Sequence, residues 1–410
     1  MKYGGAREIL GTYIFFGMRL ALPLIALPLF SHILSPGDMG DLLAAQSLGL
    51  LGSIFIQYGF HQSAPRELSL TSDLAEHRLI ASRVVQCQLV NGLVASLVIA
   101  PVIVHSSRSD SALALAVSAV ITAIGTGLSP AWYFRGTTRT ARGMAIDFAG
   151  QGVAVVLVLL SLLLPMGVGT IAILYATGPL LSSLAGLLPA VKEVGGLSRI
   201  PLRDTLSRLR SGLDLFYLRA SSSLLTTGSV WLVSIMASSA QAAYFGIASK
   251  LVGAATSLTQ PVIFSVMPRI AKAASGSTDE ALVLVRKYGG LLLAQGTLCA
   301  LALQLAAPLV ISLLFSESMA PAQDFVRILG WICIPMALRE TLGELTLVPF
   351  HADRKVSRSI IWGAGLGLVA AIVAIPQTGA WGMVIARGVA EAAMILLMAY
   401  AIRSEIVVKR

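Results

Sequence analysis

The sequence predicts an all-α integral membrane protein with twelve transmembrane helices, arranged as two six-helix bundles that are related by a parallel pseudo-twofold repeat. Three observations predict this fold. Apolar residues make up 56% of the 410 residues and charged residues only 12%, about half the charged share of a soluble domain, and the mean hydropathy is +0.82. Lys and Arg are concentrated in every second loop. Several short patterns recur about 200 residues apart.

The lengths of the apolar segments give the helix count. A helix needs about 20 apolar residues to cross the bilayer core, and twelve segments reach that length. The first is interpreted as a retained helix, because it is too long for a signal peptide, is interrupted by Arg19 and lacks a small-residue cleavage site. The twelve segments lie near residues 10–31, 40–60, 84–105, 111–134, 144–164, 169–190, 213–237, 241–266, 288–315, 325–349, 359–376 and 380–401.

The distribution of Lys and Arg predicts the orientation of the chain. If the N-terminus is cytoplasmic, the inner segments hold 23 of the 30 Lys and Arg residues, whereas the outer loops hold only Arg108. Because positive residues stay on the cytoplasmic side, we expect both termini in the cytoplasm. The net charge of +10 is then mainly a topology signal with some attraction to anionic lipid, and no nucleic-acid partner is expected.

The longest inner connection covers residues 192–212. Its leucines fall on one helical face and its arginines elsewhere, a pattern typical of a short amphipathic helix on the inner membrane surface. This linker divides the chain into an N-terminal six-helix bundle, residues 1–191, and a C-terminal six-helix bundle, residues 213–410.

The two predicted bundles share an internal repeat. Three pairs of patterns recur in the same order at offsets of 200 to 206 residues. They are Phe16-x-x-Arg19 with Phe216-x-x-Arg219, the turn ending at Gly40 with the turn ending at Gly246, and Pro65-Arg66 with Pro268-Arg269. Because each half has an even number of helices, both halves have the same orientation, and the repeat is parallel. Proline is expected to end or bend the helix at each Pro-Arg pair.

Several cations lie inside predicted helices, where a charge costs about 2.5–3.5 kcal/mol on insertion scales. Arg19 in helix 1 and Arg219 in helix 7 are interpreted as lining a cavity between the halves and attracting an anionic substrate. The alternative is that both snorkel to the inner headgroups. Lys250 in helix 8 is too deep to snorkel, so it either lines the cavity or pairs with a carboxylate of another helix.

The tenth predicted helix carries a charged cluster. Glu340 and Glu344 are four residues apart and share a face, and Arg339 points about 100° away. The cluster either carries a proton or offsets neighbouring cations, or it fixes helix packing through an interhelical salt bridge.

Two further predicted helices carry carboxylates. Arg387 and Glu391 in helix 12 are also four residues apart, and mutual neutralisation is the favoured interpretation. Asp147 in helix 5 either pairs with an inner-loop arginine or titrates during transport.

Motifs of soluble enzyme chemistry do not occur in the sequence. It contains no Walker loop, no dinucleotide-binding glycine pattern, no HExxH and no nucleophile elbow, and its five histidines have no metal-ligand spacing. We therefore expect a transporter with no metal and no cofactor, driven by a gradient or by downhill movement of its substrate.

The motifs together resemble a known family. An arginine in the first helix, the turn ending at Gly40, the Pro65-Arg66 pair and the stretch PAWYFRG at 130–136 are similar to features of the Wzx-type polysaccharide flippases. These belong to the multidrug/oligosaccharidyl-lipid/polysaccharide exporter superfamily. The resemblance covers essentially the whole chain, although each motif is short.

The resemblance implies a fold and a function. The fold is a MATE-like, V-shaped pair of six-helix bundles around a cavity that opens alternately to either side. The implied activity is translocation of undecaprenyl-pyrophosphate-linked oligosaccharide repeat units from the cytoplasmic to the periplasmic leaflet of the bacterial inner membrane, for O-antigen, exopolysaccharide or capsule synthesis. Implied partners are the bilayer, a polysaccharide polymerase, a chain-length regulator, and a coupling proton or sodium ion.

The resemblance also implies roles for individual residues. Substrate contact is expected from Arg19, Arg219, Lys250 and Arg339, ion coupling from Asp147, Glu344 and Glu391, and an inner gate from Arg66 and Arg269. For the two gate arginines, the favoured interpretation from the residues alone is a topology anchor at headgroup level.

Three alternative functions stay open at this point. A multidrug antiporter of the same fold needs an anionic or aromatic-rich pocket, and the aromatic content of 7% disfavours it. A flippase for lipid-linked peptidoglycan precursors usually has two more helices. A membrane-embedded polymerase or ligase is expected to have large outer loops, which this sequence lacks.

Overall fold

The structure, a computed structural model, describes residues 6–107, 109–161, 164, 166–211 and 223–404. All regular secondary structure in these ranges is helical. The part before residue 212 contains α1 (Ala6–Ile33), α2 (Pro36–Gln57), α3 (Phe60–Ser69), α4 (Leu74–Ser106), α5 (Ala112–Gly127), α6 (Ala131–Gly136), α7 (Thr140–Ser161), α8 (Val168–Glu193) and α9 (Leu202–Ser211).

The part after residue 222 repeats much of this order. It contains α10 (Ser229–Met236), α11 (Ser239–Ser257), α12 (Gln260–Ala274), α13 (Thr278–Leu314), a 3-10 turn (Glu317–Met319), α14 (Ala322–Gly330), α15 (Cys333–Glu340), a π-helical segment (Thr341–Leu347), α16 (Asp353–Thr378) and α17 (Ala380–Ile402). Thus α2–α3 and α11–α12 correspond, as do the long helices α4 and α13.

The described helices confirm an all-helical, multi-pass membrane protein. Nine helical stretches in the described ranges are long and apolar enough to cross a membrane. Large apolar side chains such as Leu97, Leu298, Leu305 and Leu396 are exposed over two thirds or more of their surface, as expected for contact with lipid rather than water. The finer arrangement of twelve spans in two bundles stays a prediction, because the seventh segment lies partly in 212–222, outside the described residues.

The second helix of each half is broken at the same place. α2 ends at Gln57 and α3 begins at Phe60, and α11 ends at Ser257 and α12 begins at Gln260. The intervening Tyr58 has a φ of 52°, a left-handed conformation that is uncommon for a non-glycine residue. Of the two effects predicted at each Pro-Arg pair, an end of the helix is wrong, since Pro65 and Pro268 lie inside α3 and α12, and a bend stays a prediction. The break comes earlier, at Tyr58-Gly59 and Leu258-Thr259.

Small residues bring the helices of the first half close together. A Cβ added at Gly178 of α8 would lie 2.8 Å from Cβ of Ala154 on α7, closer than normal side-chain packing permits. Such small-residue contacts replace the hydrophobic driving force that helices lack inside lipid. The aromatic residues Trp132, Tyr133 and Phe134 are buried in a cluster with Leu68, which fixes α6 against α3 and determines where the next residue, Arg135, lies.

Candidate functional site

The two halves of the chain meet at one end of the helices, which we name the closed end. Ser239 Oγ donates a hydrogen bond to Asp41 Oδ1 at 2.5 Å. Midway along α2, Ser47 Oγ donates another bond between the halves, to the carbonyl of Thr227 at 2.5 Å. Gly40 of α2 lies against the backbone of Ser239 at the start of α11. The N-terminal ends of α2 and α11 therefore form a tight seam between the halves.

A cavity of about 610 Å³ lies between the halves toward the other end of the helices. We name it the central cavity and that end the cavity end. The first half supplies most of its lining, from α2, α3, α6 and α7, and the second half supplies Thr227 and Phe264. A smaller cavity of about 80 Å³ adjoins it and shares Gln57, His61 and Asp147. The seam and the central cavity together give an arrangement that is closed at one end and hollow toward the other.

Arg135, with its hydrogen-bond partner His61, forms the cationic part of the central cavity. Arg135 is the fifth residue of the short helix α6, and the buried aromatic residues before it hold this helix in place. Its Nη2 atom lies 2.6 Å from Nε2 of His61 on α3. His61 reaches this position because the chain turns at Tyr58-Gly59. A guanidinium has five N–H donors, so Arg135 can donate to His61 and still present donors to an oxyanion.

Asp147 and Gln57 complete the polar lining of this region. Asp147 lies on α7 in the wall of both cavities. Gln57, the last residue of α2, donates a hydrogen bond from Nε2 to the carbonyl of Thr126 at 3.0 Å, which ties the helix break to the end of α5. Arg135, His61 and Asp147 are the ionisable side chains of the described lining.

The second half has its own charged cluster, deeper within the helices. Arg339 Nε on α15 donates to Glu391 Oε2 on α17 at 2.9 Å, and their side chains are 20% and 12% exposed. Arg387, also on α17, donates to Ser249 Oγ at 3.4 Å. These charges line a cavity of about 200 Å³ together with Thr226 and apolar side chains, which we name the C-terminal cavity.

Two glutamates lie beside this cluster. Glu340 is buried, with 6% of its surface exposed, and its Oε1 accepts a hydrogen bond from Gln260 Nε2 at 3.3 Å. Its Oε2 has no hydrogen-bond partner among the described residues. Glu344 is half-buried in the π-helical segment, a type of helix that often marks functional sites.

The remaining predicted cations fall in different surroundings. Arg19 lies in α1, but its side chain is not among those described, and Arg219 lies in 212–222, outside the described residues. Lys250 is half-buried midway along α11. Arg66 and Arg269 are exposed near the ends of α3 and α12. The structure thus brings together Arg339 and Glu391, for which the sequence predicts separate roles, and places Asp147 on the central cavity.

Arg135 and His61 are the cavity residues that the sequence reasoning missed. Arg135 belongs to the stretch PAWYFRG, which was noted for its similarity, but it counts there as one of the inner-loop charges. The signal that could have identified it is its place directly after three aromatic residues, which bury a short helix at the membrane edge. His61 follows Phe60 at the start of α3 and carries no sequence signal of its own.

The linker is attached to the first half at the cavity end. Arg208 Nη2 on α9 pairs with Glu67 Oε1 on α3 at 2.5 Å, and Tyr58 Oη donates to the carbonyl of Leu209 at 2.8 Å. Nearby, Arg139 Nη2 pairs with Glu193 Oε2 at 2.6 Å. These hydrogen bonds to Glu193 raise the pKa of the Arg139 guanidinium above its ordinary value, so it stays charged. The linker helix therefore packs with the first half.

Comparisons with known proteins give the relatives of this chain. Residues 11–274 match the profile of a family described as "Polysaccharide biosynthesis protein". A curated protein of Shigella dysenteriae named "Putative O-antigen transporter" is 22% identical over 400 residues, which cover 97% of this chain and 100% of that protein.

Two solved structures show the fold. One is an inward-facing multidrug resistance MATE family transporter of the MOP superfamily, with a TM-score of 0.73 at 15% identity. The match covers 96% of this chain and 98% of the transporter chain. The other is the lipid II flippase MurJ in an inward closed conformation, with a TM-score of 0.74 at 12% identity. The match covers 96% of this chain and 87% of the MurJ chain. At these identities the likeness establishes the fold alone.

Proposed function

We propose, because the chain belongs to the polysaccharide biosynthesis protein family, that it is a flippase for polyprenyl-pyrophosphate-linked oligosaccharide repeat units. The predicted resemblance to Wzx-type polysaccharide flippases is confirmed by the family match and by the relative from Shigella dysenteriae. The transported molecule passes from the cytoplasmic to the periplasmic leaflet by alternating access. This places the protein in polysaccharide biosynthesis as a membrane transporter rather than an enzyme.

The observation that carries this proposal is the central cavity with its cationic group. Arg135 and His61 lie together on its wall, and Asp147 is the one carboxylate of the described lining. A guanidinium binds phosphate oxygens through paired N–H donors, so the group suits the pyrophosphate of the substrate. A guanidinium on the wall is unfavourable for a cationic drug, which disfavours a multidrug antiporter of the same fold. The fold itself is shared by both classes and by a lipid II flippase.

The proposed arrangement has twelve spans in two bundles, residues 1–191 and 213–410, joined by the linker 192–212. With the N-terminus in the cytoplasm, α2 runs from the outer to the inner side. The seam at Gly40 then lies on the periplasmic side and the central cavity faces the cytoplasm, where the lipid-linked substrate is made. This is the orientation of a bacterial inner-membrane protein with both termini inside, and it is supported by the distribution of Lys and Arg.

Roles follow for the residues that the sequence singled out. Arg19, Arg219 and Lys250 are proposed to contact the pyrophosphate together with Arg135. Arg339 pairs with Glu391 and lines the C-terminal cavity. Its proposed contact with the substrate is therefore in that cavity.

The remaining proposed roles concern gating, coupling and assembly. Arg66 and Arg269 are proposed at an inner gate, since both are exposed at the cavity end. Asp147, Glu344 and Glu391 are candidates for coupling to a proton or a sodium ion. A polysaccharide polymerase and a chain-length regulator are the proposed protein partners.

Complementation tests the proposed function. In a bacterial strain that lacks its own flippase but makes the matching lipid-linked repeat unit, the wild-type chain is expected to restore surface polysaccharide. Arg135→Gln is expected to reduce it at least tenfold, because the cavity loses its guanidinium. Arg142→Gln is the matched control, since Arg142 is 51% exposed and pairs only loosely with Glu193 at 3.5 Å. Failure of the wild-type chain, with the protein present in the membrane, contradicts the proposal.

The two sequence-predicted arginines provide a second test. Arg19→Ala and Arg219→Ala are each expected to abolish surface polysaccharide without reducing the amount of protein in the membrane, because a cavity cation is needed for the substrate and not for packing. Quantification of polysaccharide against membrane protein checks this. Normal polysaccharide in both variants would remove these residues from the substrate site.

A further inference from the structure

The C-terminal cavity contains one more positive charge than negative charge. Its described lining holds two guanidiniums, Arg339 and Arg387, and one carboxylate, Glu391. Glu340 and Glu344 lie beside the cluster but not in this lining. Inside a membrane protein each charge is expensive and is normally paired, so one cation of the lining is in excess.

The distances identify Arg387 as the cation in excess. Arg339 takes the carboxylate of Glu391 at 2.9 Å. The hydrogen bond that Arg387 makes within the described part of the chain goes to the hydroxyl of Ser249 at 3.4 Å. A guanidinium carries five N–H donors, so most of those of Arg387 are left for a ligand or for water. Glu391, four residues along the same helix, attracts Arg387 without a hydrogen bond between them.

The C-terminal cavity lies next to the central cavity. Thr226 lines the C-terminal cavity and the next residue, Thr227, lines the central cavity. The two cavities therefore flank one short segment, in which the helix is interrupted at Thr227-Gly228 before α10 begins. A long ligand in the central cavity therefore has the C-terminal cavity as its neighbour on the other side of this segment.

We propose that Arg387 binds an oxyanion of the transported molecule in the C-terminal cavity. The oxyanion is either the carboxylate of an acidic sugar or a phosphate, which present the same paired oxygens to a guanidinium. The apolar side chains of Met336 and Met394 give the rest of the cavity a surface for the ring carbons of a sugar. The identity of the ligand rests on the proposed function, whereas the anion site rests on the charges and the cavity.

Thermal stability without ligand distinguishes this site from a structural salt-bridge network. Removing a surplus cation relieves an uncompensated charge, whereas removing one partner of a buried pair leaves the other unpaired. In detergent-purified protein we expect Arg387→Gln to have an unchanged or higher melting midpoint and Arg339→Gln to have a clearly lower one. A fall for Arg387→Gln as large as that for Arg339→Gln would overturn the proposal, because Arg387 would then be a structural partner of Glu391.

Ligand-dependent stability identifies the anion. The melting midpoint is measured in glucuronate, inorganic pyrophosphate, glucose and sodium chloride at matched ionic strength, for the wild type, Arg387→Gln and Arg403→Gln. The last is a control, because Arg403 is exposed at the end of the same helix. We expect an upward shift with at least one oxyanion in the wild type and in Arg403→Gln, and loss of that shift in Arg387→Gln.

The outcomes separate the two sources of the oxyanion. A shift with glucuronate alone assigns the site to an acidic sugar, and a shift with pyrophosphate alone assigns it to the lipid linkage. Equal melting midpoints in all four solutes would overturn the proposed anion site. A shift of the melting midpoint that Arg387→Gln retains would also overturn it. If complementation fails while the Arg387-dependent shift is present, the anion site stands and the proposed function falls.

Discussion

The two halves of the chain follow the same backbone plan but place their charges differently. In both, the second helix breaks and continues as a short helix that carries a Pro-Arg pair. In the first half the cationic group, Arg135 with His61, lies at the cavity end on the central cavity. In the second half, Arg339 and Glu391 pair within the helices, where they are 20% and 12% exposed. The two halves thus share their order of helices but differ in where their charged side chains lie.

The largest expected effect on surface polysaccharide comes from a substitution in the seam between the halves. Gly40→Ala would place a Cβ inside the space of the Ser239 backbone, and backbone atoms cannot move aside as a flexible side chain can. The closed end then fails to form, and surface polysaccharide in the complementation assay is expected to fall more than tenfold.

A matched glycine checks that this effect belongs to the seam. Gly253 lies in α11 with open space where a Cβ would be. Gly253→Ala is therefore expected to leave polysaccharide unchanged. Equal losses in both variants would show that the helices, rather than the contact between the halves, are sensitive to substitution.

The next largest effect is the loss of stability when an ion pair is broken, and it is expected to differ between the two halves. Arg339→Gln leaves Glu391 unpaired in the interior and is expected to destabilise the protein by about 3 kcal/mol. Arg139→Gln breaks the pair with Glu193, whose side chains are 35% and 34% exposed, and is expected to cost less than about 1 kcal/mol. Melting midpoints in detergent measure both. The double variant Arg339→Gln/Glu391→Gln should recover part of the loss, and similar losses for the two single variants would contradict the difference in burial.

Much of the fold could be predicted from the sequence, because the bilayer imposes a length on each apolar segment and a side on each positive charge. The breaks at Tyr58-Gly59 and Leu258-Thr259 were not predicted, because each lies inside a stretch that is long enough to be read as one spanning segment, 40–60 and 241–266. The sequence pattern predicts that Gly40 and Gly246 each end a turn. Both instead lie within helices, at the contact of α2 with α11, where Gly246 faces Leu43. The two glycines recur because each allows α2 and α11 to approach closely, which only the fold reveals.

The candidate site was less predictable. Spacing along one helix reveals neighbours such as Arg387 and Glu391, four residues apart. It cannot reveal that Glu391 takes its hydrogen bond from Arg339 on another helix. In the same way, Arg135 looks like a loop charge until the three buried aromatic residues before it place it on the cavity wall. Contacts between helices, rather than residue types, decide these roles.

The smallest expected effect concerns the linker, for which the first half provides the attachment. Arg208→Gln removes the pair with Glu67, whose side chains are partly exposed, so the loss of stability should be about 1 kcal/mol or less. The linker should nevertheless be released from α3, and limited proteolysis between residues 194 and 212 is expected to become faster. Arg203→Gln on the same helix is the control, because Arg203 is exposed. An unchanged cleavage rate in Arg208→Gln would show that this pair does not hold the linker.

Transport in a reconstituted membrane tests the central claim most directly. Lipid-linked oligosaccharide is placed in the inner leaflet of vesicles that contain the wild-type chain, Arg135→Gln or no protein, and its exposure to an impermeant glycosidase is followed with time. The account predicts rapid exposure with the wild type and slow exposure, close to that of empty vesicles, with Arg135→Gln. Exposure that is no faster with the wild type than without protein, in vesicles shown to contain folded protein, would contradict it.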